Sequence, residues 1–300
     1  MSKRNWLKAS LLMTSMMTMM AGAVVSPSLP QITEVFSHVR HNELLVRLIV
    51  TGPALFIAFV SPFAGYIIDR FGRKRLLQFS LLLYCAAGTT GFYIHDLYLI
   101  LAGRVFLGFA VAGILTTVLT LVGDYFEGEE RSRYIGLQSS FIGLGGVVFI
   151  TLAGFLADIH WQHPFLIYAF SLIIFIFDSI FLYEPKRSGA SFKKNHGESS
   201  LEDKKMEYPR GLVWLIYFIV FLGMIFFFMY PVQIPYLLRS VEGVSNAMVG
   251  YAISGATLTG SLVAMNYSRI KKVFSFPMIY GIAFFLMGAG YFVVSIAESY

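Results

Sequence analysis

Apolar and polar positions fall in long blocks along the chain. Apolar runs of about 20 residues are the length that crosses a hydrocarbon layer as a helix. Nine such runs occupy roughly 9–30, 44–68, 76–94, 97–122, 134–157, 164–183, 210–232, 245–266 and 275–297. They are too long for strands, and lipid offers an unpaired backbone no partner, so each predicts a helix. The expected fold is all-α: a multi-pass transmembrane helix bundle. One polar break is much longer than the rest. It runs over 184–209, is rich in Lys, Glu, Ser, Asn and Gly, and reads as a flexible linker. It divides a six-helix bundle over 1–183 from a partial bundle of three helices over 210–300, expected to be the beginning of a truncated second half.

The charges orient these spans. If the N-terminus is cytoplasmic, the inside segments hold Lys3, Arg4 and Lys8; Arg70, Arg73, Lys74 and Arg75; Arg131 and Arg133; the basic residues of the linker; and Arg269, Lys271 and Lys272. Of 23 Lys and Arg, only Arg40, Arg47, Arg104 and Arg239 fall elsewhere. This is the positive-inside pattern. It accounts for the net charge of +6 without nucleic acid as a partner. The lipid bilayer is the expected surroundings, with the chain multi-pass in the cytoplasmic membrane. Hydrophobic residues make up 57% and charged residues 13%, against about 25% charged in soluble domains. The single cysteine, Cys85, rules out an internal disulfide. The basic N-terminus, the apolar run and Ala21-Gly22-Ala23 also have the layout of a cleaved signal peptide. A repeat favours a retained helix instead. Pro27 and Pro30 stand at the outer end of the first span, Pro231 and Pro235 at that of the seventh. Matching Pro27 to Pro231 carries Asp69 onto the basic turn Ser268-Arg269-Ile270-Lys271-Lys272. Paired proline-interrupted helices in two halves point to a central site between them.

Between the second and third spans stands Gly65-Tyr66-Ile67-Ile68-Asp69-Arg70-Phe71-Gly72-Arg73-Lys74-Arg75. It resembles the signature loop of the major facilitator superfamily, G-x-x-x-D-R-x-G-R-[KR], in spacing and in location. A tight inter-helix turn suits Gly72, which tolerates positive φ, and Gly65 would let two helices approach closely. The resemblance implies a gating loop of Gly65, Asp69, Arg70, Gly72, Arg73 and Lys74. It implies too that Asp69 faces the start of a late helix of the other half, beyond the nine spans here, and that Asp124 helps organise the loop. Gly103 to Gly108 resembles the family's R-x-x-x-G feature through Arg104. An Arg at this depth faces a cavity or snorkels to the surface. The fifth span has Gly145, Ala153 and Gly154 of the family's antiporter pattern, with Phe149-Ile150 where Gly-Pro belongs. It therefore supports close packing and weakens the case for antiport.

The first span is rich in methionine: Met13, Met16, Met17 and Met20 lie at helical spacing, and thioethers adapt to irregular apolar shapes. In the family, the first, fourth and seventh helices line the cavity. That nominates Met17, Arg104 and Gln233 for the solute pathway, with Gln138 and Tyr168 behind them. Asp178, the acid deepest in a span, is the candidate proton relay. No histidine pattern suggests a metal or catalytic site, and no phosphate loop suggests ATP; no cofactor is expected and the chain is not read as an enzyme. The expected partners are a small-molecule solute and protons, with the protein a monomer. Three functions remain: proton-coupled export of small, partly apolar compounds as in multidrug efflux; gradient-driven import of a small polar nutrient; and a non-transporting membrane sensor.

Overall fold

The computed structural model describes residues 3–185, 210–241 and 243–297, without the side chain of Asp69 among a few others. The linker expectation at 186–209 and the contacts of Asp69 lie outside the described residues. Every regular element described is helical.

The first span is α1, Lys3–Ala23, continued through a 3-10 turn at Ser26–Ser28 into the short α2, Leu29–Val35. Pro27 and Pro30 sit in the first turn of the new elements, where a missing N–H costs little. α3 spans Asn42–Phe71 with Pro53 and Pro62 inside it. α4, Arg73–Gly88, and the one-turn α5, Thr90–Tyr93, form the third span. α6 covers Leu97–Tyr125, its N-terminus capped by Asp96, which accepts from the amide of Leu99 at 2.9 Å. α7 covers Gly128–Ile159. A 3-10 stretch at His163–Ala169, opened by Pro164, leads into α8, Phe170–Phe181. After the linker come α9, Arg210–Arg239, α10, Asn246–Val273, and α11, Phe276–Ala297.

Among the described residues, eight helical segments are long and apolar enough to cross a membrane. The ninth, in α11, has a shorter apolar core at Pro277–Val293, so the nine-span expectation holds for eight by this measure. The seventh helix also runs past its expected end near 232, through Pro231 and Pro235, to Arg239. Each proline removes one backbone donor. Pro235 leaves the carbonyl of Pro231 without its helical partner. That carbonyl accepts from the hydroxyl of Ser26 instead, so the group freed by Pro235 keeps a donor as the helix continues.

With α1–α8 called the first unit and α9–α11 the second, α6 and the first span are the most enclosed segments, α6 packed on α3 and α4, and α1 against α7 and α8. The second unit meets the first mainly through α10 on α7 and through α9 on the Ser26–Val35 region.

Candidate functional site

The signature turn is built by Gly72, whose φ of +95° only glycine adopts without strain. Gly72 is also the residue before α4 and has no side chain to cap it. The carboxylate of Glu184 does so: Oε1 accepts from the amide of Arg73 at 2.7 Å and Oε2 from that of Lys74 at 2.8 Å. The Lys74 ammonium donates to the carbonyls of Ser179 and Leu182 at the end of α8, at 2.8 and 2.6 Å. Arg73 Nε donates to Asp124 Oδ2 at 3.2 Å. The basic turn is thus tied to α6 and α8 of its own unit. Arg70 is exposed over the ring of Phe71, 5.8 Å away. A Cβ on Gly65 would meet nothing within 4 Å, so the close approach expected there is absent among the described residues. In the sequence Glu184 is simply the first residue of the polar break over 184–209. The signal for it was local: a helix that starts on glycine leaves its first amides in need of an acceptor.

α1 gathers most of the predicted pathway residues. Ser10 and Thr14 donate to the two oxygens of Asp178 on α8, Thr14 at 2.9 Å, and that carboxylate is wholly buried. Gln138 of α7 donates to Ser15 at 2.9 Å. The hydroxyl of Tyr84 donates to the carbonyl of Met17 and that of Tyr168 to Ala21, both at 2.9 Å. The Tyr84 and Tyr168 rings are 5.5 Å apart, and Arg104 lies 5.0 Å from the Tyr168 ring and 4.8 Å from that of Phe165. Arg104, Tyr168 and Met17 therefore belong to one cluster. It is sealed inside the first unit: Arg104 is 1% exposed and the other two 0%. Sequence reasoning offered a cavity or snorkelling for Arg104. Instead the guanidinium is enclosed, with Nη2 donating to the carbonyl of Gly88 at 2.9 Å, while Nε and Nη1 have no hydrogen-bond partner among the described residues. Aromatic faces offset part of the desolvation of such a cation. Gln233 is exposed on α9, apart from this cluster.

The methionine face splits along its length. Met17 and Met20 are core, whereas Met13, Met16 and Met19 are half-buried. Met16 packs on Gly145 and Met19 on Gly146, beside Thr257 of α10. This edge of α1 lies at the seam between the two units. The seam continues along α7 and α10, with Gly143 beside Ser261, Thr151 Oγ1 3.0 Å from Ser254 Oγ, and Gly154 against Gly250. On the other flank Thr33 and the Tyr236 hydroxyl are 2.8 Å apart, and Arg47 lies over the Tyr236 ring at 5.3 Å. These contacts lie between the middle of the helices and the ends far from the basic loops. Toward the basic end the most apolar stretch of α9 buries no residue.

The family model described as Major Facilitator Superfamily matches residues 11–300. The chain belongs to the major facilitator superfamily. Among its relatives, the quinolone resistance protein NorA of Staphylococcus aureus is 23% identical over 232 residues, covering 76% of this chain and 58% of NorA. The niacin transporter NiaP of Acinetobacter baylyi is 35% identical over 112 residues, covering 37% of this chain and 26% of NiaP. The chain thus spans 58% of the length of NorA. The fold is similar to that of a D-xylose–proton symporter, with a TM-score of 0.70 at 14% identity over 89% of this chain and 70% of the symporter. A bacterial homologue of the human lysosomal transporter Spinster, inward-facing and occupied, gives 0.71 at 17% identity over 93% of this chain and 63% of that one.

As a member of the major facilitator superfamily the chain is a multi-pass membrane protein. The seam between α1, α7 and α10 combines a thioether edge on α1 with glycine-rich backbone on α7, and a polar network behind them fixes where α1 stands.

Proposed function

We propose that the whole protein exports small, partly apolar compounds by alternating access, in exchange for protons, as a monomer in the cytoplasmic membrane with its N-terminus inside. The observation that carries this reading is the sequence shared with the quinolone resistance protein NorA over 76% of the chain. The half-buried Met16 and Met19 support it, because thioethers at a two-unit seam accommodate varied apolar shapes. In this reading the unit over 1–183 rocks against that begun at 210, joined by the linker over 184–209. Arg104, Tyr168, Met17 and Gln138 hold α1 in register behind the solute path, and Gln233 meets solute from the second unit. Asp178, with both oxygens on α1 hydroxyls, is the proton-carrying group: releasing or taking a proton there changes what Ser10 and Thr14 can donate to.

A second reading, gradient-driven import of a small polar nutrient, is favoured by the match to the niacin transporter NiaP. Inverted vesicles carrying the full-length protein and an acid lumen separate the two. Proton exit on addition of one compound class supports exchange and identifies that class. Proton movement in the same direction as the compound supports the import reading. Neither proton nor compound movement across a broad panel, with protein inserted normally, refutes both and leaves a sensor. Asp69→Asn runs alongside as the gating-loop control.

A further inference from the structure

Asp158 is the last charged residue of α7, at the end far from the basic loops, and no motif claims it. Its carboxylate reaches across to the second unit. Oδ1 accepts from the amide of Asn246 at 2.7 Å and Oδ2 from that of Ala247 at 3.1 Å. These are the first two residues of α10, whose amides have no partner within the helix. The third amide, of Met248, is taken by the helix's own cap, Ser245, at 3.3 Å. The side chain of Asn246 returns the contact, donating to the carbonyl of Ala157 at 3.1 Å. A carboxylate on two amides at the positive end of a helix makes short, charge-assisted bonds. One turn further in, Gly154 and Gly250 bring the two backbones together. The joint is therefore specific at its end and close along its length.

We propose that Asp158 is the outer latch of the transport cycle: a positioning residue that holds the two units shut on the external side and must release α10 for that side to open. The inference rests on the alternating-access reading above. It places at the outer end the same chemistry that the signature-loop resemblance assigns to Asp69 at the inner end, an acid of one half on the start of a helix of the other. Rigid units rocking about a seam can satisfy only one such joint at a time, so the two latches exchange as the protein cycles.

The test measures opening without needing a solute. In full-length protein with Cys85→Ser and every cysteine beyond residue 300 replaced, Ser254→Cys reports on the seam, since Ser254 is 4% exposed when the units are shut. A membrane-impermeant maleimide is applied from outside. Asp158→Ala is expected to raise the labelling rate at position 254 by about tenfold, the scale of losing a charged acceptor to water competition. Asp158→Asn should fall between, and Asp158→Glu should restore most of the protection. Ser80→Cys, in the core of the first unit, should stay protected throughout. An unchanged rate at 254 in Asp158→Ala overturns the latch, and so does labelling that rises equally at 254 and 80, which marks general loosening. If labelling responds as expected while no compound moves protons in vesicles, the latch stands and the export reading falls.

Discussion

Gly154→Ala tests the seam through packing alone. A Cβ added there would lie 2.8 Å from the carbonyl oxygen of Asn246 and 3.1 Å from the Cα atoms of Ala247 and Gly250. Ordinary contact begins near 3.4 Å. All three obstacles are backbone, so no rotamer change relieves them, and α7 and α10 must separate by several tenths of an ångström at this point. Overpacking of this kind costs about 1–3 kcal/mol. The greater helix propensity of alanine does not offset it between two folded states, because α7 is helical in both. The cost falls on the shut arrangement alone, so the population of the outer-open form should rise by about 5–150-fold. Gly154→Leu should drive it further. The assay is a pulsed electron-spin distance between labels at Ser37→Cys and Ser240→Cys, both at the far end, in a Cys85→Ser background. A longer distance should appear in Gly154→Ala and dominate in Gly154→Leu. Gly65→Ala, where the new Cβ meets nothing within 4 Å, should leave the distances as they were. An unchanged distribution in both Gly154 variants, or the same change in Gly65→Ala, refutes the reasoning.

Three further outcomes are expected. Asp178→Ala leaves the hydroxyl of Ser10 without its buried acceptor and should lower stability by about 1–3 kcal/mol, read as a fall in Tm in detergent; Asp178→Asn should keep most of that stability while abolishing proton-driven movement of solute. Arg104→Met removes a buried cation with two nitrogens that lack a hydrogen bond among the described residues, so its stability, read from Tm, should stay within about 1 kcal/mol of the parent or rise; a loss of more than about 3 kcal/mol would show that the guanidinium has a stabilising partner. Glu184→Gln should speed hydrogen–deuterium exchange at the amides of Arg73 and Lys74 and leave the middle of α6 unchanged, whereas equal protection in both proteins would show that the cap adds nothing.

The spans, the signature turn and the two proline pairs were legible because each is a local pattern. An apolar run states its own length, and Gly72 states its own φ. What the run does not state is which side of the helix meets which neighbour. Met13, Met16, Met17 and Met20 look like one face by spacing, yet a helix in a bundle is flanked on both sides of that face. Met17 and Met20 turn into the first unit while Met13 and Met16 stay at its edge. Arg104 was read by depth, and depth is silent about the aromatic rings of Phe165 and Tyr168 that arrive from a 3-10 stretch some 60 residues later. That stretch reads in the sequence as ordinary helix, because Pro164 in its first turn suits an α-helix as well as a 3-10 turn. The seventh helix was ended early at its prolines for a similar reason: the donor that replaces the lost bond, Ser26, is 205 residues away. Asp158 carried no sequence signal, since its partners are backbone amides of a helix start that any residues could supply.

The polar attachments of α1 have a consequence for how the protein is made. α1 leaves the ribosome before the other spans described, yet the groups that engage its hydroxyls and carbonyls belong to α4, α7, the 3-10 stretch after it, and α8. Until those follow, Ser10, Thr14 and Ser15 face lipid with only their own helix to bond to, as Thr14 and Ser15 do to Ser10 and Leu11. Asp178 in turn enters the membrane 168 residues after the hydroxyl it needs. Assembly of the first unit is therefore closed by its last helix rather than its first. An arrest of synthesis before the sixth span would leave a membrane intermediate with α1 loosely held and open to quality-control proteases.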